Sequence, residues 1–296
     1  MHAIEIEGLT KSYGTTRALN GIDITVSQGE VHGFIGMNGA GKSTTIRILL
    51  GLLQKDGGRV VLLGGDPYRE CVALHRRLAY VPSEVNPWPN LSGGEVIDLL
   101  CRMRKNVDAK RKERLVERFQ FDPSKKCRSY SKGNRQKIAL IAALASDVEL
   151  YLLDEPTSGL DPLMEAEFQA CVREIAASGG TVFLSSHILD EVQQLCDKIT
   201  IIREGRIVES GKLNELQQLS NLVVHAQCAR SVAGIRIDGA HGLALDGNKV
   251  SFSVDSAHLN AALQSLSQYD TLSLHCTPPS LEDLFLHYYR KDGDAT

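Results

Sequence analysis

The sequence predicts an α/β protein with parallel core strands, an antiparallel β lobe at its start and a small α+β unit at its end. Three observations carry this. Val31–Ile35 is a compact apolar run bounded by Gly29 and Gly36, and Ile46, Leu49, Leu50 and Leu53 follow it at helical spacing. The chain there reads strand, glycine loop, helix. Leu150–Leu153 is a second short apolar strand, and it ends in Asp154-Glu155. Beyond it strands and helices alternate, the pattern of a layered α/β core.

The remaining elements follow in chain order. Ile4 and Ile6 alternate with Glu5 and Glu7, and Ile22, Ile24 and Val26 alternate again, which predicts two half-buried strands ahead of the core. Pro162 opens a helix over Met164–Ala177 that Gly179-Gly180 closes. Thr181–Leu184 is the next strand and Leu189–Cys196 the next helix. Ile199–Ile202 and Arg206–Glu209 flank Glu204-Gly205, a hairpin signal. The pattern weakens over Leu213–Ser220. It resumes as strands Leu222–Ala226 and Lys249–Val254, a helix Ala257–Leu266, a strand Thr271–His275 and a helix Leu281–Tyr289. Ser280 and Asp283 resemble a capping box for that last helix.

Composition excludes several classes of function. With 33 Lys+Arg against 36 Asp+Glu the 296-residue chain carries a net charge of −3, so it lacks the basic field of a dedicated nucleic-acid binder. The basic runs Lys110-Arg111-Lys112 and Lys125-Lys126 invite that guess. Arg111, Lys112, Arg114 and Arg118 are interleaved with Glu113 and Glu117, however, which suits a solvated helix face. No apolar run approaches the roughly 18–20 residues of a membrane span, and Met1–Glu7 lacks the basic and apolar regions of a signal peptide. The seven cysteines are scattered without a CxxC pair, which favours a reducing compartment over a disulfide framework or a zinc site.

Gly36-Met37-Asn38-Gly39-Ala40-Gly41-Lys42-Ser43-Thr44 fits G-x-x-x-x-G-K-[ST]. The glycines let backbone N–H groups converge on phosphate oxygens, and the next helix points its positive end at the same place. Lys42 reaches the terminal phosphates in such a loop and Ser43 ligates Mg²⁺. The Leu150–Leu153 strand delivers Asp154 as a second Mg²⁺ ligand, through water, and Glu155 to orient or deprotonate an attacking water. Tyr130-Ser131-Lys132-Gly133-Asn134 opens a helix of small apolar residues, Ile138–Ala145. A serine hydroxyl, a glycine N–H and a helix N-terminus together make an anion site.

In this order the motifs resemble the nucleotide-binding subunit of ABC transporters, over roughly residues 3–225. The resemblance implies a P-loop NTPase of ABC type: a RecA-like core, an antiparallel β lobe and a helical subdomain. Residues 226–296 are then a small accessory domain. Tyr13 resembles the aromatic that stacks on adenine. Gly36–Thr44 resembles the Walker A loop and Leu150–Asp154 the Walker B strand. Glu155 resembles the catalytic glutamate, Ser131 and Gly133 the signature residues that cover the γ-phosphate of a partner subunit, Ser158–Asp161 the D-loop, and His187 the switch histidine. ATP and Mg²⁺ are the implied ligands. The implied assembly is a head-to-tail homodimer, or a paired ABC subunit, on an integral membrane permease at the cytoplasmic face of the membrane, with no nucleic-acid partner.

Two places depart from the family pattern. Leu91-Ser92-Gly93-Gly94-Glu95 looks more like the family's LSGGQ than Tyr130–Asn134 does. The signature belongs at the start of the helix leading into Walker B, however. Ser131 lies about two dozen residues before Asp154 and Ser92 about sixty. A capping box from Ser92 to Glu95 suffices for the earlier segment. After Tyr80-Val81-Pro82 the family usually has glutamine, where this chain has Ser83 and then Glu84. Ser83 is too short for the same reach, and Glu84 is one residue out of register.

The segment Pro278–Phe285, the Tyr-Ser-Lys-Gly signature and the run from Val81-Pro82 to Trp88-Pro89-Asn90-Leu91 resemble ABC-2-type exporter ATPases of the daunorubicin-resistance kind. That implies export of a drug, peptide, lipid or polysaccharide. An importer subunit and a non-transport ABC ATPase are the alternatives. The latter usually carries paired nucleotide domains, a long coiled coil or zinc-binding cysteines, none of which is found here.

Overall fold

The computed structural model describes residues 1–103, 108–218, 222–255, 258–277 and 281–282. In chain order its strands and helices are β1 (His2–Tyr13), β2 (Thr16–Ser27), β3 (Val31–Ile35), α1 (Lys42–Leu49), β4 (Gly57–Leu62), α2 (Cys71–His75), β5 (Leu78–Val81), α3 (Gly93–Met103), α4 (Ala109–Arg118), α5 (Lys132–Leu144), β6 (Leu150–Asp154), α6 (Pro162–Ala177), β7 (Thr181–Ser186), α7 (Leu189–Leu195), β8 (Lys198–Arg203), β9 (Arg206–Lys212), α8 (Leu213–Gln218), β10 (Leu222–Cys228), β11 (Ala240–Asp246), β12 (Lys249–Val254), α9 (Leu259–Ser267) and β13 (Thr271–Thr277).

The chain divides into two compact units, Met1–Gly211 and Lys212–Thr296. The division therefore falls earlier than the expected 225/226. That expected boundary would cut β10, which pairs on both sides with strands of the second unit, Ala226 facing Val250 of β12 and Leu274 of β13. The expected helix over 281–289 and the exporter-like segment 278–285 lie outside the described residues except for positions 281 and 282.

The first unit holds two sheets. Antiparallel β2, β1 and β4 form the lobe, with Ile6 opposite Ile24 and Ile4 opposite Val26, all buried. The alternation in the sequence is this buried face. The second sheet runs β5-β6-β7-β3-β8-β9, and β5, β6, β7, β3 and β8 pair in parallel. Every residue of β3, β6 and β7 is buried, which explains why these strands read as continuous apolar runs without alternation. β4 and β5, absent from the sequence reading, complete the edges of the two sheets. Each is too short and too mixed to show a period by itself.

Helices α3, α4 and α5 form a helical layer, with α5 packed against α3, α4 and β5. From Gln136 to Leu144 α5 is buried all round, so it shows no amphipathic stripe. The basic face of α4 is only partly solvated: Arg118 pairs with Glu167 and Glu174 of α6, and Lys112 with Asp98 of α3. His32, buried in β3, is satisfied by Glu30 at 2.6 Å and Thr200 at 2.9 Å.

In the second unit antiparallel strands order as β11-β12-β10-β13. Val224, Val250, Phe252 and Val254 pack with Ala262 and Leu266 of α9. The sequence reading lacked β11, whose side chains are mostly exposed and show little apolar alternation. No helix among the described residues is long and apolar enough to cross a membrane.

Candidate active site

The site forms where β3, β6 and β7 end side by side. Adjacent parallel strands deliver their C-terminal loops to one edge of the sheet, so three segments far apart in sequence converge there. After β3 the chain enters the Gly36–Thr44 loop, and α1 begins at Lys42. Gly41 has φ 118°, a conformation that side chains rarely adopt, and a Cβ there would lie 2.7 Å from Leu19 Cδ2 and 3.0 Å from the Ala18 carbonyl oxygen. The glycine thus shapes the loop and seats it on β2. The β1–β2 turn that carries Tyr13 belongs to the same hairpin. Tyr13 is half-exposed at its end, with the Lys11 ammonium 5.9 Å from the ring centroid.

Lys42 is buried. Its Nζ donates to the carbonyls of Gly36 (2.6 Å) and Met37 (3.3 Å) and lies 3.6 Å from Glu155 Oε1. Burial lowers its pKa, while the charges of Glu155 and Asp154 pull it back up. On the other side of Glu155, His187 Nδ1 lies 3.3 Å from the same Oε1. The three residues predicted to carry the chemistry therefore meet at one carboxylate.

Glu155 is held by its backbone. Its φ is 48°, in the left-handed region, at a cost of roughly 1–2 kcal/mol for a residue with a Cβ. Its N–H donates to the Ser185 carbonyl at 3.0 Å, and Ser185 Oγ also lies within reach at 3.3 Å. The Ser185 hydroxyl donates to Asp154 Oδ1 at 2.5 Å. One serine on β7 thus fixes both acids at the end of β6. Sequence reading missed it, although it sits two residues before His187.

Asp154 is buried at the strand end, and Ser43 lies in the first turn of α1. A carboxylate and a hydroxyl are hard oxygen donors that suit Mg²⁺, an ion that keeps several waters and takes further ligands from substrate phosphates.

Ser131 and Gly133 lie elsewhere, at the N-terminus of α5. Ser131 Oγ accepts the Asn134 N–H at 3.3 Å and is exposed. A Cβ on Gly133 would fall 2.3 Å from the Gly159 carbonyl oxygen, so the start of α5 packs on the Ser158–Asp161 turn. Among the described residues neither one bonds to the phosphate loop. Ser92 and Glu95 form the expected reciprocal cap of α3, with Ser92 N to Glu95 Oε2 at 2.6 Å and Glu95 N to Ser92 Oγ at 3.2 Å.

At the Tyr80-Val81-Pro82 element Glu84 is exposed. A glutamine does meet this element, but from α5: buried Gln136 donates through Nε2 to the carbonyls of Pro82 (3.3 Å) and Pro156 (3.0 Å). It ties α5 to the turn after Glu155, and its only signal in the sequence is a polar residue ahead of an apolar run.

Comparison with known proteins matches residues 19–158 to the ABC transporter family. A daunorubicin resistance ATP-binding protein of Streptomyces coeruleorubidus is 32% identical over 96% of this chain and 95% of its own length. This chain belongs to the ABC transporter ATP-binding family. It binds ATP and is an ATP hydrolase of the ABC type. A bacitracin transport ATP-binding protein of Enterococcus faecalis is 33% identical over 73% of this chain and 71% of its own. Among solved structures, an ATP-binding subunit of an ABC transporter superposes with a TM-score of 0.68 at 29% identity, covering 73% of this chain and 92% of that one. A cassette solved as a dimer, at 22% identity and TM-score 0.64, shares the fold.

Proposed function

We propose that this ABC ATPase powers export through a separately encoded integral membrane permease, working as a nucleotide-sandwich homodimer at the cytoplasmic face of the membrane. The observation that carries the hydrolytic part is the convergence of Lys42 and His187 on Glu155 Oε1, at 3.6 and 3.3 Å. In this reading Glu155 orients the attacking water and takes its proton, Lys42 exchanges its loop carbonyls for phosphate oxygens, and His187 senses the γ-phosphate. Ser43 and, through water, Asp154 would hold Mg²⁺, which would supply charge neutralisation on the phosphates. Tyr13 stacks on the adenine, and the backbone of Gly36–Thr44 cradles the phosphates.

The position of Ser131 and Gly133 supports the dimer. They lie at a helix N-terminus where Ser131 is exposed, an anion site that among the described residues makes no bond to this chain's own Gly36–Thr44 loop and is open to the nucleotide of a second copy. The first unit, Met1–Gly211, acts as the nucleotide domain and the second as an accessory to it. The export direction rests on the names of the drug-resistance and bacitracin relatives. A groove of about 330 Å³ below Tyr80 and Trp88, floored by Ile138, Ala139 and Ala142, offers the permease an apolar seat.

Glu155→Gln tests the mechanism. Turnover should fall by roughly 10²–10⁴, and ATP should trap a dimer in light scattering; a monomer under those conditions refutes the sandwich. Purification from detergent-solubilised membranes should bring down an integral membrane protein, and its absence refutes the transport role.

A further inference from the structure

Behind His187 the fold buries a carboxyl that the proposed hydrolytic step does not use. Glu191, in the first turn of α7, is 5% exposed. Its Oε2 accepts from Ser186 Oγ at 2.8 Å, and the same Oγ accepts the Ile188 N–H at 3.0 Å. Ser186 and Ile188 flank His187. These two bonds therefore close the turn that presents the imidazole to Glu155. Oε1 of Glu191 is buried with no hydrogen-bond partner among the described residues. The Thr157 hydroxyl favours the ionised form without completing a bond to Oε1.

A half-paired carboxyl out of water is costly to ionise. Burial pushes Glu191 up to about 7, against the pull of the Ser186 and Thr157 hydroxyls. The titratable groups that face it are carboxylates and a thiol. Glu165 of α6 and Glu155 of the turn after β6 raise its pKa further. The Cys196 thiol at the end of α7 is raised by its own burial and then by Glu191. A glutamine would also accept from Ser186, through a neutral carbonyl that never ionises. What the carboxyl adds is a charge that comes and goes with a proton.

We infer that Glu191 is a positioning residue for ATP hydrolysis, which seats the His187 turn through Ser186 and sets the firmness of that seat by its own ionisation. A carboxylate accepts the Ser186 hydroxyl more strongly than the neutral acid does. The turn is therefore firm above the transition and looser below it, and turnover rises as the pH passes through it. The inference rests on Glu155 and His187 acting together in hydrolysis.

The test is steady-state ATPase of the full chain from about pH 5.5 to about pH 9, for the wild type and the variants Glu191→Gln, Glu191→Ala, Ser186→Ala and the Ser186→Ala/Glu191→Ala pair. Glu191→Ala should lower kcat about tenfold with KM for ATP within about twofold. The wild-type kcat should contain a step near neutral pH that Glu191→Gln lacks. The double variant should be no slower than the slower single one, because both remove the same support. A step that persists in Glu191→Gln, or single effects that multiply in the double variant, overturns the inference. Should Glu191→Ala fail to fold, Glu191→Gln and Ser186→Ala, which keep the packing, decide between these outcomes. Glu155→Gln separates the two levels. If it keeps full turnover the hydrolytic reading fails. If it is inactive while the Glu191 and Ser186 variants are silent, only the positioning role fails.

Discussion

Two helices of the first unit begin with a serine and a nearby glycine, and the fold uses them in opposite ways. At α3 the cap is spent on itself: Ser92 and Glu95 satisfy each other's backbone N–H groups. Gly93 is there for packing, since a Cβ would lie 2.4 Å from Phe121 Cζ and 2.6 Å from the Tyr130 hydroxyl. At α5 the residue matching Glu95 is Asn134. It brings no carboxylate back over the helix end and no charge to repel an anion, and Ser131 stays exposed. A serine cap marks where a helix begins. The residue three positions on, and what the glycine touches, decide whether that N-terminus remains open to a phosphate.

The sharpest way to break this comparison is Asn134→Glu, which would rebuild the α3 box on α5. ATPase activity should fall about 100-fold, as when one preorganised anion donor is lost, while denaturant stability is unchanged or higher. Full turnover in that variant would remove the signature from the site. Gly133→Ala comes next. Its Cβ would meet backbone rather than a movable side chain, 2.3 Å from the Gly159 oxygen. The Ser158–Asp161 turn must shift, and kcat should drop about tenfold or more with ATP affinity in calorimetry little changed.

Ser92→Ala should cost ~0.5–2 kcal/mol in urea unfolding and leave kcat where it was. A collapse of turnover with intact folding would instead make Ser92 the signature serine. The smallest effect is electrostatic. The Glu95 carboxyl is held below its ordinary value, chiefly by the Ser92 N–H. A depressed folded-state pKa stabilises the fold above the unfolded value of about 4.3, and that contribution disappears as pH falls through the depressed value. The melting-temperature gap between wild type and Glu95→Gln should therefore close between about pH 6 and about pH 3. A gap independent of pH would mean that the carboxylate's charge is irrelevant to the cap.

The core strands and the chemical residues were legible because each leaves a local mark. Val31–Ile35, Leu150–Leu153 and Thr181–Leu184 are apolar on both faces, and Lys42 and Glu155 sit at fixed offsets from glycines and strand ends. The supporting residues leave no such mark. Ser185 and Ser186 look like any strand-to-loop serines, and Glu191 like any acid in a first helical turn. Gln136 looks like one polar residue in an ordinary helix. The unit boundary was misplaced for a related reason. β10 has a period but nothing in its own residues names its partners, and it is the pairing with β12 and β13 that assigns it to the second unit.

By itself the sequence determined the α/β class, the glycine loop between a buried strand and a helix, the acids at the end of a second buried strand, and the reciprocal serine cap of α3, because these depend on spacing and residue chemistry within one segment. Only the tertiary structure decided that Lys42, Glu155 and His187 share one carboxylate oxygen, that Ser185 locks Asp154 and Glu155 together, and that a buried Glu191 underlies the histidine turn. Those contacts join β3, β6, β7 and α7 across distant stretches of chain. The parallel pairing of the strands and the burial of their ends set them, and no local pattern in the sequence records either.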